Sequence, residues 1–306
     1  MGKTINSRNS GSTLEATPAE KADTEGAEQL SNRPPLLVLI SLGILGVLIF
    51  VAIFADVISP YGYREQNLQN RLASPVFLGG DWAYFLGTDS IGRDLLSRLI
   101  HATRFSIAIA FLGTTIGATL GTILGLIAAH KRGLTGEVIM MAVDIQASLP
   151  FMLIALAVLA FFGNDLTLFI LIIGYYGWEG FARLSRGVAL VARSQGYASA
   201  ISALGASEFR LYAMHILPNI ASILIVQFTL NFPQTILLET SLSFLGLGVQ
   251  PPLTSLGQLL SDGRSYLLTA WWIAVAPGIV ILMATLSISL IGDWLRDRLD
   301  PTLKEG

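Results

Sequence analysis

Residues able to do chemistry are few in this chain and stand apart from one another. His101, His130 and His215 lack an H-E-x-x-H or similar metal-ligating spacing, and neither G-x-S-x-G nor G-x-x-x-x-G-K-[ST] occurs. There is no cysteine among the 306 residues. These absences remove a thiolate metal site, a cysteine or elbow-serine nucleophile, and a cradle for nucleotide phosphates. Any dependence on ATP therefore has to come from another subunit.

Two carboxylates are placed more suggestively, because each sits in an apolar run where a charge is costly and faces a cavity or a partner. Asp144, in MMAVDIQASLP, lies near the end of its run, so it can either reach the interface or face a pathway. Glu239, in ETSLSFLGLGVQPP, is followed by about two helical turns and either lines a pathway or packs structurally. Pro150 and Pro233 can kink the helices that carry them.

A third place is the polar stretch 186–219, which interrupts two long oily runs. Tyr197, Ala200, Ile201 and Leu204 recur at helical spacing on one stripe. Gly205 can close that helix in the left-handed conformation and Ser207 can cap the next. Phe209, Tyr212, Ala213 and Ile216 make a second stripe, and Pro218 suits the first turn of the following span. The periodicity predicts two short amphipathic helices at a fixed bend, with His215 capping or packing inside. Such a segment either lies on headgroups or docks into a groove on a partner.

The elements that must position these residues follow from composition. Hydrophobic residues make up 53% of the chain and charged residues 13%, with a mean hydropathy of +0.63; this is a membrane protein. The net charge of −2 argues against a nucleic-acid partner. Residues 1–34 have almost no large apolar side chains and read as a disordered tail. Six runs are long enough to cross a bilayer: 35–58, 106–129, 137–162, 166–181, 220–246 and 267–291. With the N-terminus inside, thirteen Lys and Arg fall in inside segments and six outside, which predicts both termini cytoplasmic. The segment 59–105 is then external, and FLGTDSIGRDLLSRLIHATRFS reads as a glycine turn leading into a surface helix. There Leu95, Leu96 and Leu99 face apolar surface, and Arg93, Arg98 and Arg104 face water or headgroups.

The run YASAISALGASEFRLYAMHILPN resembles the EAA loop of ABC importer permeases: E-A-A, three residues, Gly, nine residues, I-x-L-P. Ser199, Ala200 and Ile201 take the E-A-A positions, Gly205 the glycine, His215 the Ile, and Leu217 and Pro218 the ending. Ser199 replaces the motif glutamate and Ile201 its second alanine, so the charged contact attributed to that position has no carrier there; Glu208 lies beyond the bend. G-T-D-x-x-G-R-D-x-x-S-R, on Gly87, Thr88, Asp89, Gly92, Arg93, Asp94, Ser97 and Arg98, resembles the dipeptide and oligopeptide branch, as do Glu239 to Pro252 and LIGDWLRDRLDP. Leu256, Ser289 and Met141 depart from that branch, which usually has Trp, Asn and Arg there.

The resemblance covers about residues 81–301 and implies an all-α type I permease of six transmembrane helices, with a core region near 102–295 within a membrane domain of 35–306. It implies a coupling loop over 186–219 that docks on an ATP-binding subunit. It further implies a second, similar permease, two ATP-binding subunits that hold ATP and Mg, an external or periplasmic solute-binding protein, and a bacterial inner-membrane location. No cofactor is expected in this chain. Peptides are the expected cargo, with nickel complexes, glutathione or sugars as alternatives. An ion-coupled carrier would instead place its ion at intramembrane carboxylates.

Overall fold

A computed structural model describes residues 34–131 and 133–299, so the tail expected over 1–34 and the end of the LIGDWLRDRLDP run lie essentially outside the described residues. Every regular element among the described residues is helical. α1 (Leu36–Ile53) is apolar on all sides and is followed, after a break at Phe54, by α2 (Ala55–Ile58). Residues 59–94 then form an irregular segment with two short 3-10 turns, Leu68–Asn70 and Val76–Leu78.

α3 (Leu95–His130) starts at Asp94, whose carboxylate accepts the Ser97 N–H at 2.7 Å and the Ser97 hydroxyl at 2.6 Å. Residues 95–105, assigned by sequence to a surface helix before the second span, are the first turns of this same helix. No Gly or Pro occurs between Leu95 and Gly113 to interrupt it.

α4 (Leu134–Ser148) and α5 (Phe151–Phe162) meet at 87°. The cause is Pro150, which pushes Leu149 into an extended conformation (φ −100°, ψ 138°). The fourth apolar run is also divided. α6 (Leu166–Tyr175), capped by the Asp165 carboxylate on the N–H groups of Thr167 and Leu168, stops at Tyr176; α7 (Trp178–Ser194) restarts after Gly177, which adopts φ +79°. The remaining elements are α8 (Gly196–Ala203), α9 (Glu208–Arg210), a π-turn Leu211–Ile216, α10 (Leu217–Phe244), α11 (Leu256–Arg264) and α12 (Trp272–Leu299).

By length and composition α1, α3, the unbroken run Glu208–Phe244 and α12 can each cross a membrane, and the bent pair α4–α5 makes a fifth. The run expected as the remaining span contains α6, whose ten residues reach ~15 Å, half a hydrocarbon core. Amphipathic α7 continues it past the bend. Pro233, expected to kink the fifth run, is buried inside an unbroken α10.

What holds α6 and α7 against α3 is a stripe of glycines one turn apart. A β-carbon at Gly113, Gly117, Gly121 or Gly125 would collide with Ile173, with the carbonyls of Tyr176 and Trp178, or with that of Ala182. Lipid supplies no hydrophobic drive between helices, so this close backbone approach is the source of packing. Ile109, Leu159, Phe169, Ile173 and Leu242 form one buried cluster nearby.

Candidate functional site: the 186–219 elbow and two charged clusters

In the 186–219 segment α8 is held by its inner face. Tyr197, Ala198 and Ile201 pack on Ala129 of α3, Ala189 and Ala192 of α7, and Leu211, Tyr212 and Ile216 of the π-turn. The stripe expected from sequence is therefore split. Ser199, Ala200 and Leu204 point outward, Leu204 with 88% of its surface exposed. Ala198, and not Ala200, takes the crowded side.

The bend itself follows the sequence. Gly205 takes φ +82° and donates its N–H to the Ser202 carbonyl at 3.0 Å, while Ala206 N–H reaches the Ile201 carbonyl at 3.4 Å. The Ser207 hydroxyl accepts the Arg210 N–H at 3.3 Å, the expected cap. Beyond it the expected second short helix is instead the start of the long one, since Glu208 runs unbroken to Phe244.

Pro218 accounts for the π-turn. It has no N–H to return to Met214, and the Leu217 N–H bonds the Tyr212 carbonyl, five residues back. Tyr212 and Ile216 are buried, but Phe209 from the same expected stripe is 81% exposed. His215 and Pro218 are also exposed, so His215 does not pack as expected; Leu217 is half-buried.

Glu208 has a role that the sequence concealed. Its carboxylate accepts both terminal guanidinium nitrogens of Arg193, at 2.9 and 3.1 Å, and lies 3.3 Å from His130 Nδ1. Arg193 also donates to the Tyr212 hydroxyl at 3.0 Å. One carboxylate thus ties the end of α3, the last turn of α7 and the elbow together. Sequence spacing gives no hint of it, because the partners come from separate elements.

The G-T-D-x-x-G-R-D-x-x-S-R run forms a closed knot. Asp89 is buried and accepts the N–H groups of Ile91 and Arg93, the Arg93 side chain at 2.6 Å, and Arg98 at 2.6 Å. Arg98, expected to face water, is only 1% exposed and reaches Asp262 of α11 at 3.0 Å. A guanidinium with two carboxylates in reach can be buried where an isolated one cannot. Burial alone would raise the Asp89 carboxyl, but Arg98 and Arg93 outweigh it and hold it below its ordinary value.

The two intramembrane carboxylates part company. Glu239 is wholly buried; its Oε1 accepts the Ser243 hydroxyl at 2.8 Å, and its Oε2 is enclosed without a hydrogen-bond partner. Asp144 is open and pairs with Arg183 of α7 at 3.1 Å. Beside it Gln146 joins both helix breaks, donating to the Tyr175 carbonyl and to Glu179, each at 3.1 Å, and accepting the Trp178 indole N–H. Neither Gln146 nor Trp178 stands out in the sequence, because the bond between them joins elements 32 positions apart.

An all-helical membrane body with no metal-binding cluster among the described residues, bent helices and an exposed apolar elbow suits a transport permease. Residues 121–305 match the family described as binding-protein-dependent transport system inner membrane component, and residues 37–75 match the N-terminal TM domain of oligopeptide transport permease C. The chain belongs to that family and is a transmembrane permease subunit of the ABC importer kind. It is 40% identical to the di/tripeptide transport system permease protein DppC of Pseudomonas aeruginosa, over 84% of this chain and 86% of that one. It is 37% identical to the dipeptide transport system permease protein DppC of Haemophilus influenzae (90% and 92%), and 35% identical to the glutathione transport system permease protein GsiD of Pectobacterium atrosepticum (84% of each). The similarity therefore extends into the first span, which the residue motifs had left out.

Proposed function

We propose that this chain forms half of the translocation pathway of an ATP-driven importer of di- and oligopeptides. It pairs with a second, homologous permease, and the 186–219 elbow docks on one of two ATP-binding subunits, which hold ATP and Mg. An external or periplasmic solute-binding protein delivers the cargo. The chain itself carries no ATPase site and no cofactor. It lies in a bacterial inner membrane with both termini cytoplasmic, an orientation supported by the basic residues of the inside segments away from the α4–α7 face, such as Lys131, Arg193, Arg210, Arg296 and Arg298.

The observation that carries the docking role is the pairing of an outward Leu204 and Phe209 with an inward face fixed by packing and by Glu208. Apolar side chains so exposed on a rigid bend suit insertion into a partner's groove, and a fixed base lets the partner's motion move α7 and α3. Tyr197, Ala200 and Gly205 set the shape of the bend; Ser199, His215, Leu217 and Pro218 complete the sequence pattern. Peptide cargo is supported by the DppC relatives, and GsiD makes glutathione the second reading.

The test is a pull-down in mild detergent with this chain as bait, comparing wild type with Leu204→Glu and Gly205→Pro. Leu204 is so exposed that a charge there leaves the fold alone, so loss of the ATP-binding subunit from both variants supports docking. Binding that survives both changes refutes it.

A further inference from the structure

The breaks at Leu149–Pro150 and Tyr176–Gly177 lie side by side, with the Phe151 ring 5.2 Å from that of Tyr176 and Gln146 bonded to both ends of the second break. Non-helical backbone at membrane depth persists only where protein covers it or where it lines a cavity. In transporters, interrupted helices of this kind converge on cargo.

An open cleft of about 540 Å³ runs along α4 up to Ser148, next to the first break, and is lined also by Glu137, Met141, Asp144 and, from α7, Arg186. α7 presses Phe181, Ala182 and Ser185 onto Gly121 and Gly125, leaves Arg183 exposed, and sets Arg186 beside Glu137 of α4 and beside Ala128 and Gly133 at the end of α3. Those glycines belong to the apolar stretch of α3, more than a turn short of its end at His130. Glu179 and Arg183 therefore stand beside apolar helix, where facing lipid would be costly and facing a watery pathway is not, and Arg186 stands one turn on, where that pathway nears the end of α3. They are also incompletely engaged. Asp144 and Arg183 keep 69% and 55% of their side chains exposed, and the Arg186 Nε is enclosed without a hydrogen-bond partner.

We infer that the α4–α7 face at the paired breaks is a transit site for a zwitterionic short peptide, with Arg186 and Arg183 receiving its carboxylate and Asp144 and Glu179 its ammonium. The inference rests on the peptide-importer reading above and adds where, within this chain, the peptide's charges are met. A weak site suits the task, since cargo must leave as readily as it enters.

The test is ATP-driven uptake of radiolabelled dialanine by proteoliposomes holding the complete importer, with assembly of every variant checked by co-purification. Arg186→Gln and the double variant Asp144→Asn/Arg183→Gln are expected to lower maximal uptake by about tenfold, the scale of one lost charge-assisted contact, and Arg186→Lys to recover most of it. The chain has no cysteine, so Arg183→Cys gives a clean second readout: a charged, membrane-impermeant thiol reagent modifies it in the complex, and saturating dialanine slows the modification. Unchanged uptake in both charge variants, or a residue-183 thiol that stays unmodified, overturns the site. A wild-type complex that assembles and hydrolyses ATP but imports no dialanine overturns the peptide reading instead.

Discussion

Two of the regions in which Asp and Arg meet differ in completeness. Around Asp89 and Arg98 the carboxylate takes backbone N–H groups and two guanidinium groups, and Arg98 adds Asp262. Along α4 and α7, Asp144 has one ion pair, largely exposed, and Arg186 holds an enclosed donor without an acceptor. The same residue types serve as a fastener in one place and as a receptive surface in the other. Exposure of the whole side chain decides between them: Arg98, sealed in by its own chain, is matched there, whereas the exposed Asp144 and Arg183 and the part-exposed Arg186 can take up a ligand.

The largest effect that would sharpen this comparison comes from Asp89→Ala. It strands Arg98 in the interior and should destabilise the protein by about 3–5 kcal/mol, read as a fall in unfolding midpoint of the purified chain in detergent. A change under about 1 kcal/mol would mean that the knot is not a fastener. Acid tests the same carboxyl. Because Asp89 titrates below its ordinary 3.8 in the fold, its contribution is fully present above that ordinary value and is lost as pH falls through the lower, folded one. The wild type should therefore lose melting temperature more steeply than Asp89→Asn as pH falls below the ordinary value of 3.8, and parallel curves would remove Asp89 as the source.

Whether a feature could be read from the sequence depended on how local its cause is. The bend at Gly205, the cap at Ser207 and the break at Pro150 follow from a single residue's φ preference, hydroxyl or missing N–H, and all three stand where expected. Arg98 was misplaced because its partner Asp262 is 164 positions away. Helical periodicity gave the elbow two clean stripes, but a helix as short as α8 is oriented by what fits against it, so Ala198 went in and Leu204 out. Pro218 was read as a helix start; that its missing N–H would be absorbed by a π-turn depends on the preceding segment being already helical and packed. The glycine stripe on α3 carries no signal of its own in the sequence, because its meaning lies in the helix it touches.

That stripe carries the next effect in size. Gly121→Leu places a side chain where the Trp178 carbonyl and Phe181 already sit, so α7 must move off α3 at a cost of about 1–3 kcal/mol. Detergent unfolding measures it. If the variant is as stable as wild type, α7 is not held by backbone approach, and the argument that its charges lie at membrane depth weakens with it.

The smallest expected effect is the one that sets the two clusters furthest apart. Asp144→Asn removes one partner of an ion pair that water already screens, and such pairs contribute about 0–1 kcal/mol. Its unfolding midpoint should stay close to that of wild type, in contrast to Asp89→Ala measured in the same detergent. Arg183 keeps its solvent in the absence of Asp144, so nothing is stranded. A loss approaching that of Asp89→Ala would show that Asp144 is enclosed in the assembled protein, and the α4–α7 face would then be a second fastener. A small loss accompanied by slowed dialanine uptake is the combination that a structural salt bridge does not produce, because it separates the charge's contribution to stability from its contribution to passage.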